Sequence, residues 1–469
     1  MIENIFQHPN RLQVIKEALQ AGSQASDQAC YSGAQFIIGN ALHGCFFEDD
    51  LGKVQTNLAF VWPSPSSTFK TPLMRILRTI YERDWRNQGL HFKSKYTTEG
   101  LMQSLYNYRK KIEERAKKEK KIEESLNEDR DDFDDEINIP AYKCIVLRDE
   151  ASNLAKEAKA GRAANIWEFQ SEAYDGFVSP YDTVRGSSQT YPPTWMSFWF
   201  SSTLTLYQHL GDDFWEQGFA FRCLFIRPEK KEYLPMSNNV VRETAILDIT
   251  TELLDLYEIE GALASDEWWS AYNDFVKPIV ERGNIEIDSL DSAENIPIED
   301  KADKKYPEIV IKLSMVHCAS RSGWKETDGH KYLWLDLQDL QNAISDLHKY
   351  KENLISAYNI YQLRKKSPAK LEKIEEERKT VHRLIKEAPP EQRYDAREEY
   401  GDDKKTHIFA VQSKDGKYIR SSYIYRKTRW SKSTVNSVLG AMGNAEEIEL
   451  IATESDGTNR KTILIGEVD

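Results

Sequence analysis

The chain has little that would tie it to a disulfide framework, a cysteine-based metal site or a membrane. Five cysteines stand in 469 residues, Cys30, Cys45, Cys144, Cys223 and Cys318, widely spaced in apolar surroundings and forming no CxxC pair. That usage excludes a disulfide scaffold and a zinc ribbon and fits a reducing cytoplasm. No apolar run reaches the roughly 18 residues of a membrane span and no signal peptide opens the chain, so a cytoplasmic protein without membrane contact is expected. Positive charge is in deficit: 63 Lys and Arg against 76 Asp and Glu give a net charge of -13. Contact with nucleic acid is therefore confined to local patches. Glycine is missing from one place where it matters, the stretch "FVWPSPSSTFKTPLM" from Phe60 to Met74. It lies between an apolar run and a helical pattern, where a phosphate-binding loop is expected.

What is present is a folding sequence. Hydrophobic residues make up 40%, and 11 Trp, 23 Tyr and 18 Phe exclude a disordered chain. The length implies two or three domains. Residues 1–45 read as a helical N-terminal segment and 46–235 as an α/β core. "NLAFVW" (57–62) reads as a buried strand, and "TPLMRILRTIYERDW" as a helix, with Leu73, Ile76, Leu77 and Ile80 on one face and Pro72 in its first turn. The order is strand, loop, helix. A charged helical insert spans 108–136. Two further strand signals, "KCIVLRDEASNL" from Lys143 and "WMSFWFSST" from Trp195, each end in polar residues, which implies a parallel sheet with chemistry at its strand ends.

Residues 236–365 read as a helical lid, with Leu337, Leu340, Ile344, Leu347 and Leu354 on one face, and 366–403 as a charged helical linker containing Pro389-Pro390. Residues 404–469 differ. Between Lys404 and Lys432 nine Lys and Arg face one acid, Asp415. A helix capped by Ser431 or Ser433 follows, then two strands joined by an Asp-Gly turn. Helix, helix and hairpin behind a basic approach is the layout of a winged helix, in which Arg426, Lys427, Arg429 and Lys432 would meet DNA phosphates. A winged helix that binds protein explains the same layout.

A phosphate cradle needs inward backbone N–H groups, a lysine for the β- and γ-phosphates and a hydroxyl on Mg²⁺. Ser66, Ser67, Thr68 and Phe69 would supply the first, Lys70 the second and Thr71 the third. Ser64 and Phe69 stand at the two glycine positions of the G-x-x-x-x-G-K-[ST] frame. Asp149 and Glu150, ending an apolar strand, suit a metal-holding acid and a base that polarises water, or simply a solvated strand end. Ser202, in the Ser201-Ser202-Thr203 run, suits a polar sensor of the γ-phosphate or a helix N-cap. Arg222, in the apolar "GFAFRCLFI", needs an anion: an intramolecular carboxylate, or the nucleotide of a neighbouring subunit.

The series "SPSSTFKTPL", "CIVLRDEA", "FWFSST" and "GFAFRCLF" resembles the ATPase core of a family of plasmid, phage and other mobile-element proteins, and is similar in order to the MCM class of AAA+ replicative helicases. That class carries a non-glycine residue before its loop lysine, as Phe69 does here. The resemblance implies an α/β fold: a P-loop AAA+-type ATPase core with a helical lid and a C-terminal winged-helix domain. It implies ATP and Mg²⁺ as cofactors, Arg222 acting across a subunit interface, and the second sensor at Lys305 within "KKYPEIVIKLSMVHCASR". It also implies a DNA-gripping hairpin whose one basic residue is Arg185. The expected protein is a hexameric homo-oligomer that unwinds or moves along single- or double-stranded DNA. Two alternatives share these residues: a catalytically weak or inactive ATPase-fold DNA-binding or scaffold protein, and an ATP-dependent loader or transposition regulator.

Overall fold

The computed structural model describes residues 10–49, 52–65, 68–94, 96–126, 139–159, 165–179, 181–182, 188–216, 218–228, 239–288, 298–366, 368–387, 393–395, 408–409, 417–431, 435, 438–439, 442, 448–454 and 461–467. Two compact units emerge, 1–361 and 362–469.

The first unit opens with helices α1 (Arg11–Ser23) and α2 (Asp27–Ala41), capped by the side chains of Asn10 and Ser26, each of which accepts a backbone N–H of the first turn. Strands β1 (Phe46–Asp49) and β2 (Gly52–Gln55) follow, then the apolar β3 (Ala59–Pro63), the amphipathic α3 (Lys70–Arg83) and β4 (His91–Lys93). Next come α4 (Thr98–Leu126), β5 (Tyr142–Arg148), α5 (Ala151–Lys159), α6 (Ile166–Tyr174), the short pair β6 (Tyr181–Asp182) and β7 (Ser188–Gln189), and β8 (Thr194–Ser202). Helices α7 (Leu206–His209) and α8 (Asp212–Glu216) lead to β9 (Cys223–Phe225).

Five of these strands form one all-parallel sheet in the order β4-β5-β8-β3-β9. The central strands β3, β5 and β8 are continuous apolar runs because both faces are covered. On one face Phe60 and Trp199 pack on Phe36 of α2; on the other Phe198 and Phe200 meet Phe219, and Phe200 meets Trp167 of α6. In α3, Leu73, Ile76, Leu77 and Ile80 are all buried, as their helical spacing predicts.

The stretch expected to be a helical lid is not helical throughout. Between α9 (Asn239–Leu253), α10 (Asp266–Asp288), α11 (Ile298–Asp303), α12 (Tyr306–Ser320) and α13 (Leu337–Lys366) it contributes β10 (Ile259–Ala264), β11 (Trp324–Thr327) and β12 (His330–Leu335). These join β1 and β2 in a second, mixed sheet ordered β11-β12-β10-β1-β2. Strands from both ends of the first unit therefore share one sheet, and β1 and β2 do not extend the sheet of β3. The signal for the β11–β12 hairpin is Asp328-Gly329, where both residues take positive φ (52° and 79°), the two-residue turn whose twist matches paired strands.

The second unit contains α14 (Pro368–Lys386), β13 (Arg393–Asp395), β14 (Ile408–Phe409), β15 (Lys417–Arg420), α15 (Ser421–Thr428), β16 (Ile448–Glu454) and β17 (Lys461–Glu467). Its sheet is antiparallel, ordered β13-β15-β17-β16-β14. The expected linker thus supplies a structural helix: Val381 and Ile385 of α14 pack with Ile424, Val435, Val438, Leu439 and Met442 in a separate core. The Asp-Gly turn expected between the last two strands lies outside the described residues.

Glycine is required at Gly176, where φ is 90° and a Cβ would stand 2.4 Å from the Trp195 ring. Gly176→Ala should therefore destabilise the first unit by about 3 kcal/mol, from backbone strain plus overpacking. Gly329→Ala has the same backbone conflict in open space and should cost about 1 kcal/mol. Urea unfolding followed by tryptophan fluorescence ranks the two.

Candidate functional site

Three strand ends meet at the C-terminal edge of the parallel sheet. Because β8 lies between β3 and β5, its last residues stand beside both: Pro63 pairs with Ser202, and Arg148 with Phe200. The loop after β3 begins at the buried Ser64, whose N–H donates to the Ser202 carbonyl at 2.9 Å. It then turns back at Pro65, whose carbonyl accepts from Thr68 N–H (3.3 Å) and Thr68 Oγ1 (2.7 Å).

Phe69 closes the loop at φ 58°, ψ 29°, a left-handed conformation, and α3 starts at the next residue. A side chain in that region costs about 1–2 kcal/mol that glycine avoids. The residue at the second glycine position of the loop frame thus has a glycine's backbone without being glycine. Ser64, at the first, has no positive φ. No side chain caps α3, so its first N–H groups and the positive end of its dipole face the loop.

Lys70 is only 6% exposed. Its ammonium donates to the carbonyls of Ser64 and, at 3.1 Å, Pro65. Burial lowers its pKa, opposed by the charges of Glu150 and Asp149, so the acid pair lies within electrostatic reach of the lysine. Thr71 is exposed in the first turn of α3. Asp149 and Glu150 are exposed in the turn between β5 and α5, and Glu150 is a second non-glycine residue in the left-handed region (φ 58°). Ser202 links the two halves of the site. Its carbonyl accepts from the loop, while its hydroxyl accepts from Ser152 N–H at 3.1 Å, at the start of α5. This bond joins Ser202 to α5 and is not an N-cap of the helix that follows it, α7, which no side chain caps; a hydroxyl that accepts still has its own proton to donate.

Arg222 and Lys305 are elsewhere. Arg222 precedes Cys223, which pairs with Ala59, the first residue of β3. The loop leaves the other end of that strand, roughly 13 Å or more away at about 3.3 Å per residue. The guanidinium is 9% exposed and bound inside the chain: Nε donates to Asp175 Oδ1 at 2.9 Å, Nη2 to Asp175 Oδ2, and Nη1 to the Gly218 carbonyl at 2.9 Å. Of the two readings of Arg222, the intramolecular ion pair is the one seen in this single chain. Lys305 shares that carboxylate, its Nζ 3.2 Å from Asp175 Oδ2. Burial would raise the Asp175 pKa, but the Arg222 hydrogen bond and the charges of Arg222, Lys305 and Lys312 hold it below the ordinary carboxylate range.

Sequence reasoning missed the residues that complete this network. Lys312 of α12 is fully buried; its Nζ donates to Asn57 Oδ1 at 2.8 Å, pairs with Glu308 at 2.7 Å and lies 3.6 Å from the centre of the Tyr174 ring. The Glu308–Lys312 spacing of four is legible as a helical ion pair. Asp175 carries no such signal, standing 47 positions from Arg222.

Of the expected site residues, the structure brings together Thr68, Phe69, Lys70, Thr71, Asp149, Glu150 and Ser202, and sets Arg222 and Lys305 apart from them. Arg426, Lys427 and Arg429 are exposed in the second unit. Ser66, Ser67, Arg185 and Lys432 lie outside the described residues. Among the described residues no cluster of three or more His, Cys, Asp or Glu could hold a metal, and no helix is long and apolar enough to cross a membrane.

Replacing Asp175 by Asn strands a buried guanidinium and should cost about 3–5 kcal/mol; adding Arg222→Met should recover part of that loss. The pH dependence has a fixed sign. The folded carboxyl titrates below its unfolded value of about 3.9, so its contribution is complete above that pH and is lost as pH falls through the lower folded value. Unfolding free energies measured downward from about pH 5 should fall less steeply for Asp175→Asn than for the wild type. Compared with known proteins, the chain matches no family model and no curated sequence.

Proposed function

We propose that the chain is a P-loop ATPase of the AAA+ type that binds ATP with Mg²⁺ and works on DNA as a ring-forming homo-oligomer, a helicase or translocase similar to the MCM class and its mobile-element relatives. The observation that carries this reading is the left-handed Phe69 immediately before the buried Lys70, at the uncapped start of a helix that leaves a central parallel strand. A left-handed non-glycine residue is retained where local geometry requires it, and such positions cluster at ligand clamps. The place of Phe69 between a central strand and a buried lysine supports a phosphate loop as the reason.

In this reading Lys70 and the first N–H groups of α3 hold the β- and γ-phosphates. Thr71 and Asp149 would hold Mg²⁺. The donor set fits, because this ion takes hard oxygen ligands and is satisfied by one or two protein groups completed by phosphate oxygens and water. The metal would neutralise charge on the phosphates. Glu150 orients and polarises the attacking water, and Ser202 offers its hydroxyl proton between the loop and the acids. The strand between the loop strand and the acid strand supports the AAA+ assignment, since it sets a polar sensor between phosphate and water. Arg222 and Lys305 lie too far along the sheet to serve their own loop. Contact with nucleotide is open to them only across a subunit interface, on release from Asp175. In the second unit, α14, β15, α15, the helical positions around Val438 and the β16–β17 hairpin support a winged helix, with Arg426, Lys427 and Arg429 directed to DNA phosphates.

One observation favours the second reading, a catalytically weak or inactive ATPase-fold protein that binds DNA or serves as a scaffold: the Lys70 ammonium is engaged by the loop's own carbonyls, which nucleotide must displace. A loader or transposition regulator shares every site residue and is separated from a helicase by strand displacement.

Lys70→Ala should lower ATP turnover at least about 100-fold, the usual loss when one preorganised charge-stabilising donor is removed, and leave DNA binding intact; unchanged turnover removes the loop from the mechanism. Wild-type turnover measured with and without single-stranded DNA separates the motor from the scaffold. Replacing Lys427, Arg429 and Lys432 together by Ala should weaken DNA binding and reduce the slope of log affinity against log salt by about 0.9 for each duplex phosphate that the protein no longer neutralises. An unchanged slope points to a protein partner for the second unit.

A further inference from the structure

We propose that a small cavity at the N-terminal edge of the parallel sheet binds one inorganic anion of chloride size, with Lys143 as its charged ligand. The cavity is of about 20 Å³ and is walled by Asn40 from the end of α2, Thr56 from the β2–β3 link, Lys143 and Cys144 from the start of β5, and Trp195 and Ser197 from the start of β8. It lies at the opposite end of the strands from Lys70.

Charge in the wall is one-sided. No Asp or Glu lines the cavity. The half-buried Lys143 ammonium donates to the His43 carbonyl, its one hydrogen-bond partner among the described residues, and no described carboxylate lies within ion-pair distance. An ammonium has three protons to donate, and a half-buried charge without a counter-ion is costly. The neighbouring groups do not balance it. Burial pushes the Cys144 thiol up to about 12 and the Cys45 thiol higher still, so both stay neutral. Burial and the nearby Lys143 charge hold the His43 imidazole below its ordinary range, so it is neutral too. The hydroxyl of Ser197, a buried residue of the wall, is a further donor for an anion. Size points to the ligand class: a volume little above the roughly 10–15 Å³ that one water occupies matches a monatomic anion better than phosphate or sulfate. A bound anion would join α2, the entry to β3 and the starts of β5 and β8, and so stabilise the first unit independently of the nucleotide loop.

The test is thermal unfolding of the full chain in potassium chloride against potassium gluconate at equal ionic strength, with gluconate too large to enter. The wild type should melt about 3 °C or more higher in chloride once the ion is well above its dissociation constant, Lys70→Ala should keep that difference, and Lys143→Met should lose it. Crystals soaked in bromide should show an anomalous peak beside Lys143 Nζ. Equal melting of the wild type in both salts, a chloride effect that persists in Lys143→Met, or bromide-soaked crystals without the peak would each overturn the assignment; if Lys143→Met does not fold, the bromide experiment on the wild type decides.

Discussion

Two hydrogen bonds at Ser202 hold the candidate site in one piece. Its carbonyl takes the N–H of Ser64 and fixes where the loop leaves β3; its hydroxyl takes the N–H of Ser152 and fixes where α5 leaves β5. Both depend on strand order. With β8 between β3 and β5, a single residue can reach the loop and the acid turn, and with any other neighbour it could reach only one. The three central strands are apolar on both faces, with α2 and α6 packed on opposite sides, so they are held in the buried middle of the sheet.

On this frame the loop is arranged for charge. Lys70 is drawn out of water, which disfavours its charged form, while the charges of Glu150 and Asp149 restore part of the balance. Two non-glycine residues in left-handed conformation, Phe69 and Glu150, flank that exchange. Each costs on the order of 1–3 kcal/mol and persists only because the surrounding packing determines the backbone. The missing glycines therefore do not abolish the loop's shape. They shift its cost onto the core, and Lys70 rests on the carbonyls of its own loop.

What was legible in the sequence follows the range of the forces involved. The strand–loop–helix order, the buried face of α3 and the polar strand ends are set by periodicity and by neighbours in sequence, so Lys70, Thr71, Asp149, Glu150 and Ser202 could be placed together from spacing. The second sheet was not legible as such, because β10 is a short strand in helix-rich surroundings and its partners β1 and β12 come from distant parts of the chain. Asp328-Gly329 carries the same hairpin signal as the Asp-Gly dipeptide near the C-terminus. The partner of Arg222 was invisible for a related reason: a buried arginine announces that it needs an anion, not which one, and Asp175 is brought to it only by the end of α6.

The Arg222 network and the loop after β3 are thus built on opposite electrostatic rules. At the C-terminal edge the acids are exposed, and the charge of Lys70 is served by backbone carbonyls and by the nearby Asp149 and Glu150. At the N-terminal edge, Lys143 apart, the charges of Arg222, Lys305 and Lys312 are met by Asp175 and Glu308, with Asn57 receiving Lys312 just before β3 begins. Asn57 also donates to the carbonyls of Tyr174 and Met196 at 2.8 and 3.0 Å, so one side chain ties α12, α6 and β8 to the foot of the loop strand. A strand anchored this firmly at its foot cannot slide when the loop at its tip changes shape. Any motion that starts in the loop must pass sideways through Ser202 into α5, or outward along α3.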